Sequence, residues 1–201
     1  MSQIKSITAR EILDSRGNPT VEAQVTTSSG IEAIAQVPSG ASTGSHEALE
    51  LRDGGDRYDG KGVQKAVDNI KTTIKEKLIG LEAADQKLID KTMIDLDGSQ
   101  NKKNLGANAI LAVSMACARA GALELGKPLY KHLGDVFGIE WTGKMPRPMM
   151  NIINGGRHAD NDISVQEFMI VPSADSFAEQ IHIAVRIYHA LHDLLNEQDF
   201  G

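Results

Sequence analysis

Thr20-Val21-Glu22-Ala23-Gln24-Val25-Thr26, Ser28-Ser29-Gly30 and Ile31-Glu32-Ala33-Ile34-Ala35-Gln36-Val37 run into Pro38 and then Ser39-Gly40-Ala41-Ser42-Thr43-Gly44. Alternation of apolar and polar residues on either side of a Ser-Ser-Gly turn predicts a β-hairpin with one wet face. The six small residues behind it leave a backbone that almost nothing shields, so a polyanion or a metal could approach closely. Glycine costs nothing at positive φ and hydroxyls can cap, ligate or donate, which suits a lid closing over a charged ligand. A flexible turn is the alternative, since the loop lacks the Gly-x-x-x-x-Gly-Lys spacing of a nucleotide-binding loop.

Ahead of the hairpin, Arg16-Gly17-Asn18-Pro19 is turn chemistry. Behind it, Val63, Val67, Ile70, Ile74 and Leu78 recur at helical spacing until Gly80, which predicts an amphipathic helix. A weaker helical stretch covers Asp85 to Leu96. Leu105 to Leu125 is nearly all small and apolar, as a helix buried on most of its circumference requires. Gly138, Gly143, Pro146 and Pro148 break the periodicity, so the chain is divided into an α+β domain over 1–135, a linker over 136–148 and a second domain from 149 to 201. There, Met149 to Ile153 and Glu167 to Val171 read as two buried strands. Ser176 and Glu179 form a capping box opening a helix whose face is Phe177, Ile181, Ala184, Tyr188, Leu191 and Leu195. Two strands and one helix cannot bury both faces of a sheet, so the second domain reads as the truncated start of an α/β layer.

The chain has 201 residues, 41% of them apolar and 24% charged, enough for one ordinary domain and part of another. A formal charge of -6, with basic residues scattered among acids, argues against general affinity for nucleic acid. No apolar run approaches membrane-spanning length and the amino terminus lacks the layout of a signal peptide, so a cytoplasmic location is expected. The lone Cys117 sits in the small-residue helix and reads as a buried hydrophobe. Asp95-Leu96-Asp97-Gly98 has the start of a calcium loop without its closing glutamate and reads as a turn.

Five strings then carry a specific resemblance. Leu13-Asp14-Ser15-Arg16-Gly17-Asn18-Pro19-Thr20-Val21-Glu22, Val37-Pro38-Ser39-Gly40-Ala41-Ser42-Thr43-Gly44, Asn104-Leu105-Gly106-Ala107-Asn108-Ala109-Ile110-Leu111, Asn151-Ile152-Ile153-Asn154-Gly155-Gly156 and Gln166-Glu167-Phe168-Met169-Ile170 resemble, in the same order, stretches of enolase (phosphopyruvate hydratase). The match covers essentially the whole chain. It implies an α+β amino-terminal domain followed by the opening strands and first helix of a β/α barrel.

The resemblance further implies magnesium-dependent, reversible dehydration of 2-phosphoglycerate to phosphoenolpyruvate. Removing a proton beside a carboxylate creates a doubly charged aci-carboxylate, which calls for cations, a base and an acid that assists hydroxide departure. Enolase-superfamily sites are a well-known worked case of a lysine or histidine base with one or two magnesium ions. By position in the matched strings, Ser42 would supply oxygens to the second Mg2+, Gly40 and Ala41 would close over the substrate, and His158 and Gln166 would bind it. Glu167 would bind substrate and join the acid network around the leaving hydroxyl. Taken alone, His158 beside Asp160 and Asp162 reads as a solvated loop histidine. A carboxylate at Glu167 beside Phe168 to Val171 would be costly to bury without a partner or a task. Arg10 and Glu22 fall where the family makes dimer contacts, so a homodimer or higher homo-oligomer is implied, as is a secondary cell-surface or secreted pool.

The chain also departs from the family. Nothing in it corresponds to the family's Gly-Asp-Glu-Gly-Gly segment, its three later carboxylates or its lysine base, and Ala184, Val185 and Arg186 stand where enolases commonly show glycine and glutamate. The 201 residues alone are therefore expected to lack dehydratase activity. The alternative from another class is a catalytically inactive fragment acting as an oligomerisation or interaction module.

Overall fold

Val21, Ala23 and Val25 lie in the middle strand of a three-stranded antiparallel sheet, ordered β1 (Ile4–Leu13), β2 (Pro19–Thr27), β3 (Glu32–Val37). The computed structural model describes residues 2–40, 44–156, 159 and 161–198. Register aligns Ala9 with Ala23 and Ala35 on one face, and Arg10 with Glu22 and Gln36 on the other. The hairpin expectation holds for β2 and β3, and the wet face holds along β3, where Glu32, Ile34 and Gln36 are exposed, but not along β2, where Glu22 is only 6% exposed and Thr20 is buried. The cause is β1. With a strand on each side, Glu22 lies between Arg10, which pairs with its Oε1, and Gln36, whose Nε2 donates to its Oε2 at 2.7 Å. Cross-strand neighbours cover the acid and satisfy it together.

The apolar face of the sheet packs on α4 (Ala107–Glu124). That helix approaches closely because it carries small side chains: Ala109, Ala112, Ala116, Cys117 and Ala120 are fully buried. On its side towards the segment before α3, an added Cβ at Gly121 would come 2.8 Å from the Ala83 carbonyl oxygen and 2.9 Å from Ala84 Cα. The stripe Val63, Val67, Ile70, Ile74 and Leu78 is buried along α1 (Gln64–Asn69), a wider π-type turn (Ile70–Ile74) and α2 (Lys75–Leu78), ending at Gly80 with φ 88°. Truncating one of its isoleucines or its leucine to alanine costs about 2–5 kcal/mol. Helix α3 (Gln86–Asp97) begins at Asp85, whose side chain accepts from the Leu88 amide at 3.2 Å. Helix α5 (Leu129–Phe137), which the sequence reading did not mark, runs through Gly134 and buries His132.

Contacts divide the chain into Met1–Trp141 and Thr142–Gly201. In the second unit β4 (Met150–Asn154) and β5 (Glu167–Ile170) pair antiparallel, with Asn154 opposite Glu167 and Met150 opposite Ile170. Helix α6 (Phe177–Glu197) is capped as expected, Ser176 Oγ accepting from the Glu179 amide at 3.1 Å. The expectation of two buried strands is corrected: Phe168 and Met169 are each 45% exposed. Within this unit two strands and one helix leave those side chains uncovered, and Ala184 is the residue of α6's apolar face that is fully buried. Among the described residues no single helix is long and apolar enough to cross a membrane.

Candidate active site

The first unit presents candidate residues where β3 gives way to the small-residue loop. Val37 and Pro38 lead to Ser39 and Gly40, which line a cavity of about 530 Å3 with Gly44, Glu47, Glu50 and Asn108. Both described ends of the loop are tied to the segment that follows it. Ser39 Oγ donates to Glu50 Oε2 at 2.9 Å, and the Gly44 amide donates to Glu47 Oε1 at 2.8 Å. Ala41 and Ser42, two of the residues expected to act here, lie outside the described residues.

That following segment has no regular secondary structure and is held by side chains. Asn108, buried at the start of α4, accepts from the Leu51 amide through Oδ1 and donates to the Leu51 carbonyl through Nδ2, both at 3.1 Å. One amide side chain thus replaces a strand partner for Leu51. Gly106 is fixed by the same clamp: its φ is 95°, and a Cβ there would lie 2.6 Å from both Asn108 Oδ1 and Leu51 Cβ. The Leu49 amide donates to the Asn101 carbonyl at 2.7 Å and the Leu49 carbonyl accepts from the Ala107 amide at 2.8 Å.

The turn reading of Asp95-Leu96-Asp97-Gly98 is corrected: Asp95 to Asp97 are the last residues of α3 and Gly98, at φ 66°, caps it, while the loop from there to α4 closes on Asp97. Its Oδ2 accepts from the amides of Leu105 at 2.7 Å and Asn104 at 3.1 Å, and its Oδ1 accepts from the Ser99 amide at 3.0 Å. Burial pushes this carboxyl up, but the hydrogen bonds from Ser99, Leu105 and Asn104 outweigh it and hold the group below the usual aspartate range. Beside it, His46, Glu47, Ser99, Asn101 and Lys103 line a polar cavity of about 820 Å3.

The second unit carries candidate residues of its own. β4 ends in Asn154-Gly155-Gly156, and the return to β5 passes directly over Gly155, whose amide donates to the Gln166 carbonyl at 2.9 Å. A Cβ at Gly155 would lie 2.3 Å from the Val165 carbonyl oxygen and 2.6 Å from that of Ile163, so only glycine fits. The Gly156 amide donates to the Ile163 carbonyl at 2.7 Å, and Asn161 Nδ2 donates to the Asn154 carbonyl at 3.1 Å. The first of these bonds holds the backbone of Gln166, and Glu167 follows as the first residue of β5. Gln166 is exposed and Glu167 half-buried. His158 lies outside the described residues. Of the expected site residues, then, Gly40 stands in the first unit and Gln166 and Glu167 stand side by side in the second.

Sequence reasoning did not single out Asn108, Glu47, Glu50 or Arg52. Asn108 carried a signal, being a polar residue inside an otherwise small and apolar helix; the other three sit in an acid-rich stretch of no period.

Comparison with known proteins follows the same division. The family model "Enolase, N-terminal domain" matches residues 4–133, and "Enolase, C-terminal TIM barrel domain" matches residues 142–200. A curated relative named Enolase, from Methanothrix thermoacetophila, is 59% identical over 194 residues. The alignment takes in 96% of this chain and 45% of the relative, so the chain spans under half the length of the relative it matches. The sheet with its packed helices and the strand–strand–helix unit behind it are accordingly an amino-terminal domain and the opening of a barrel domain, and the chain belongs to the enolase family.

Proposed function

We propose that the protein carrying this chain catalyses the reversible dehydration of 2-phosphoglycerate to phosphoenolpyruvate in glycolysis and gluconeogenesis, as a magnesium-dependent lyase and a cytoplasmic homodimer. The observation that carries this reading is the 59% identity, over 96% of the chain, to a protein named Enolase. In it, the Gly40 backbone lies against the anionic substrate, Gln166 hydrogen-bonds it and Glu167 steadies the departing hydroxyl, with Ala41 and His158 on the substrate side. Half-burial of Glu167 suits that role, because a carboxyl partly withdrawn from water interacts more strongly with a charge developing nearby.

Among the described residues no group of three or more His, Cys, Asp or Glu side chains could hold a metal ion. Ser42, the oxygen donor assigned to the magnesium ion, is outside the described residues, and no step runs through the ion. A second reading, an interaction module, draws on the exposed Phe168 and Met169 of β5. Steady-state turnover of 2-phosphoglycerate by the purified full-length gene product tests the first reading. Phosphoenolpyruvate formation that falls at least a hundredfold in Glu167→Gln supports it, in line with the loss of a group that stabilises the transition state. A folded, full-length protein that leaves 2-phosphoglycerate unchanged overturns it.

A further inference from the structure

Arg52 joins four separate stretches of the first unit. Its Nη1 donates to the Pro19 carbonyl at 2.7 Å and the Lys61 carbonyl at 2.6 Å, while its Nη2 donates to Glu50 Oε1 at 2.7 Å and Ser39 Oγ at 3.2 Å. Ser39 Oγ in turn donates to Glu50 Oε2, so hydroxyl, carboxylate and guanidinium close a ring of three hydrogen bonds. The Arg52 side chain is 23% exposed and that of Glu50 32% exposed, so the ring is largely withdrawn from water. Arginine suits the position because its planar fork reaches several acceptors at fixed angles, which a lysine ammonium cannot do. If the guanidinium only tied β2 to Lys61, its two carbonyl bonds would suffice. Instead its other nitrogen is committed to Ser39, next to the Gly40 that lines the 530 Å3 cavity.

We propose that Arg52, backed by Glu50, is a positioning residue: it fixes Ser39 and thereby sets where the Gly40 backbone stands towards the substrate. This rests on the dehydratase reading above for its substrate, but not for the clamp itself. Arg52 touches no reacting atom, and its effect passes through the Ser39 hydroxyl. A misplaced Gly40 weakens substrate binding while leaving the acid–base groups of the second unit in place, so the signature is in KM more than in kcat.

The test uses the full-length gene product with Arg52→Ala, Arg52→Lys, Ser39→Ala and the Arg52→Ala/Ser39→Ala pair. Arg52→Ala and Ser39→Ala are each expected to raise KM for 2-phosphoglycerate about tenfold, the scale of one charge-assisted hydrogen bond. The pair is no worse than Arg52→Ala alone, since both remove one interaction, and Arg52→Lys does not restore KM. Without substrate, hydrogen exchange at the Gly40 amide is faster in Arg52→Ala and Ser39→Ala than in the parent. An unchanged KM in Ser39→Ala, additive effects in the pair, or full function in Arg52→Lys overturns the inference. Should Arg52→Ala not fold, Ser39→Ala, which deletes a single hydroxyl, carries the test. Should the parent not turn over 2-phosphoglycerate, the dehydratase reading has failed, and exchange at Gly40 alone decides the clamp: acceleration supports it and no change overturns it.

Discussion

Replacing Asn108 by alanine should loosen the segment that carries Glu47, Glu50 and Arg52. Asn108 is 3% exposed and makes two hydrogen bonds of 3.1 Å to the backbone of Leu51, fifty-seven positions away in sequence. Each such bond is worth about 1 kcal/mol net, and a buried amide or carbonyl left without a partner costs about 1–3 kcal/mol. Leu51 is half-buried, so water can reach part of what is lost and the lower end applies: about 2–3 kcal/mol in all. Asn108→Asp separates hydrogen bonding from volume. It keeps the acceptor for the Leu51 amide but turns the donor into a second acceptor facing the Leu51 carbonyl. The new carboxyl is held above its ordinary pKa in the folded state, so the destabilisation is full at neutral pH and shrinks as pH falls through the folded value. Urea unfolding followed by circular dichroism, with midpoint and slope fitted together, measures both. A loss under about 0.5 kcal/mol for Asn108→Ala at unchanged slope, or an Asn108→Asp variant that is least stable in acid, would refute the reasoning.

Cys117 is fully buried, and burial first, with the Asp90 charge second, pushes its thiol up to about 12; it should resist Ellman's reagent at pH 8 and react at once in denaturant. His132 is buried on α5 and burial lowers its pKa from the ordinary 6.5, the opposing pull of Asp135 being offset in part by Lys127. The unfolded chain therefore binds the extra proton first, so stability is full above pH 6.5 and is lost as pH falls from there through the folded value; His132→Leu should flatten that slope in urea titrations run from pH 7.5 to 5. Gly155→Ala places a methyl 2.3 Å from the Val165 carbonyl oxygen and should accelerate hydrogen exchange at the amides of Gly155 and Gly156, with no effect on amides of the first unit. Equal exchange in both variants would mean that the loop has room to shift.

What the sequence made legible was periodicity and local chemistry. Val63 to Leu78 repeats at helical spacing and is buried on that face, and Ser176 with Glu179 marks the start of α6 to the residue. Small residues from Leu105 to Leu125 announced a helix pressed closely against its neighbours, as Gly121 shows. What escaped was set by partners distant in the chain. Ile7-Thr8-Ala9-Arg10 alternates as β2 does, yet β1 went unread, and with it the reason that Glu22 is covered. The apolar runs at β4 and β5 looked buried because composition reports what a strand prefers and not what covers it. For the candidate site, Gly40, Gln166 and Glu167 could be named from matched strings, whereas the supports, Asn108 on Leu51 and Arg52 on Ser39, depend on loop conformations with no period to read.

We propose that this chain contributes residues to a dehydratase site and does not make one by itself. Turnover of 2-phosphoglycerate with magnesium, measured side by side for the 201-residue chain and for the full-length gene product with intact masses checked, tests it most directly. The account predicts phosphoenolpyruvate from the full-length protein and none from the 21.7 kDa chain. Turnover by the chain alone, or a folded full-length protein with none, would contradict it.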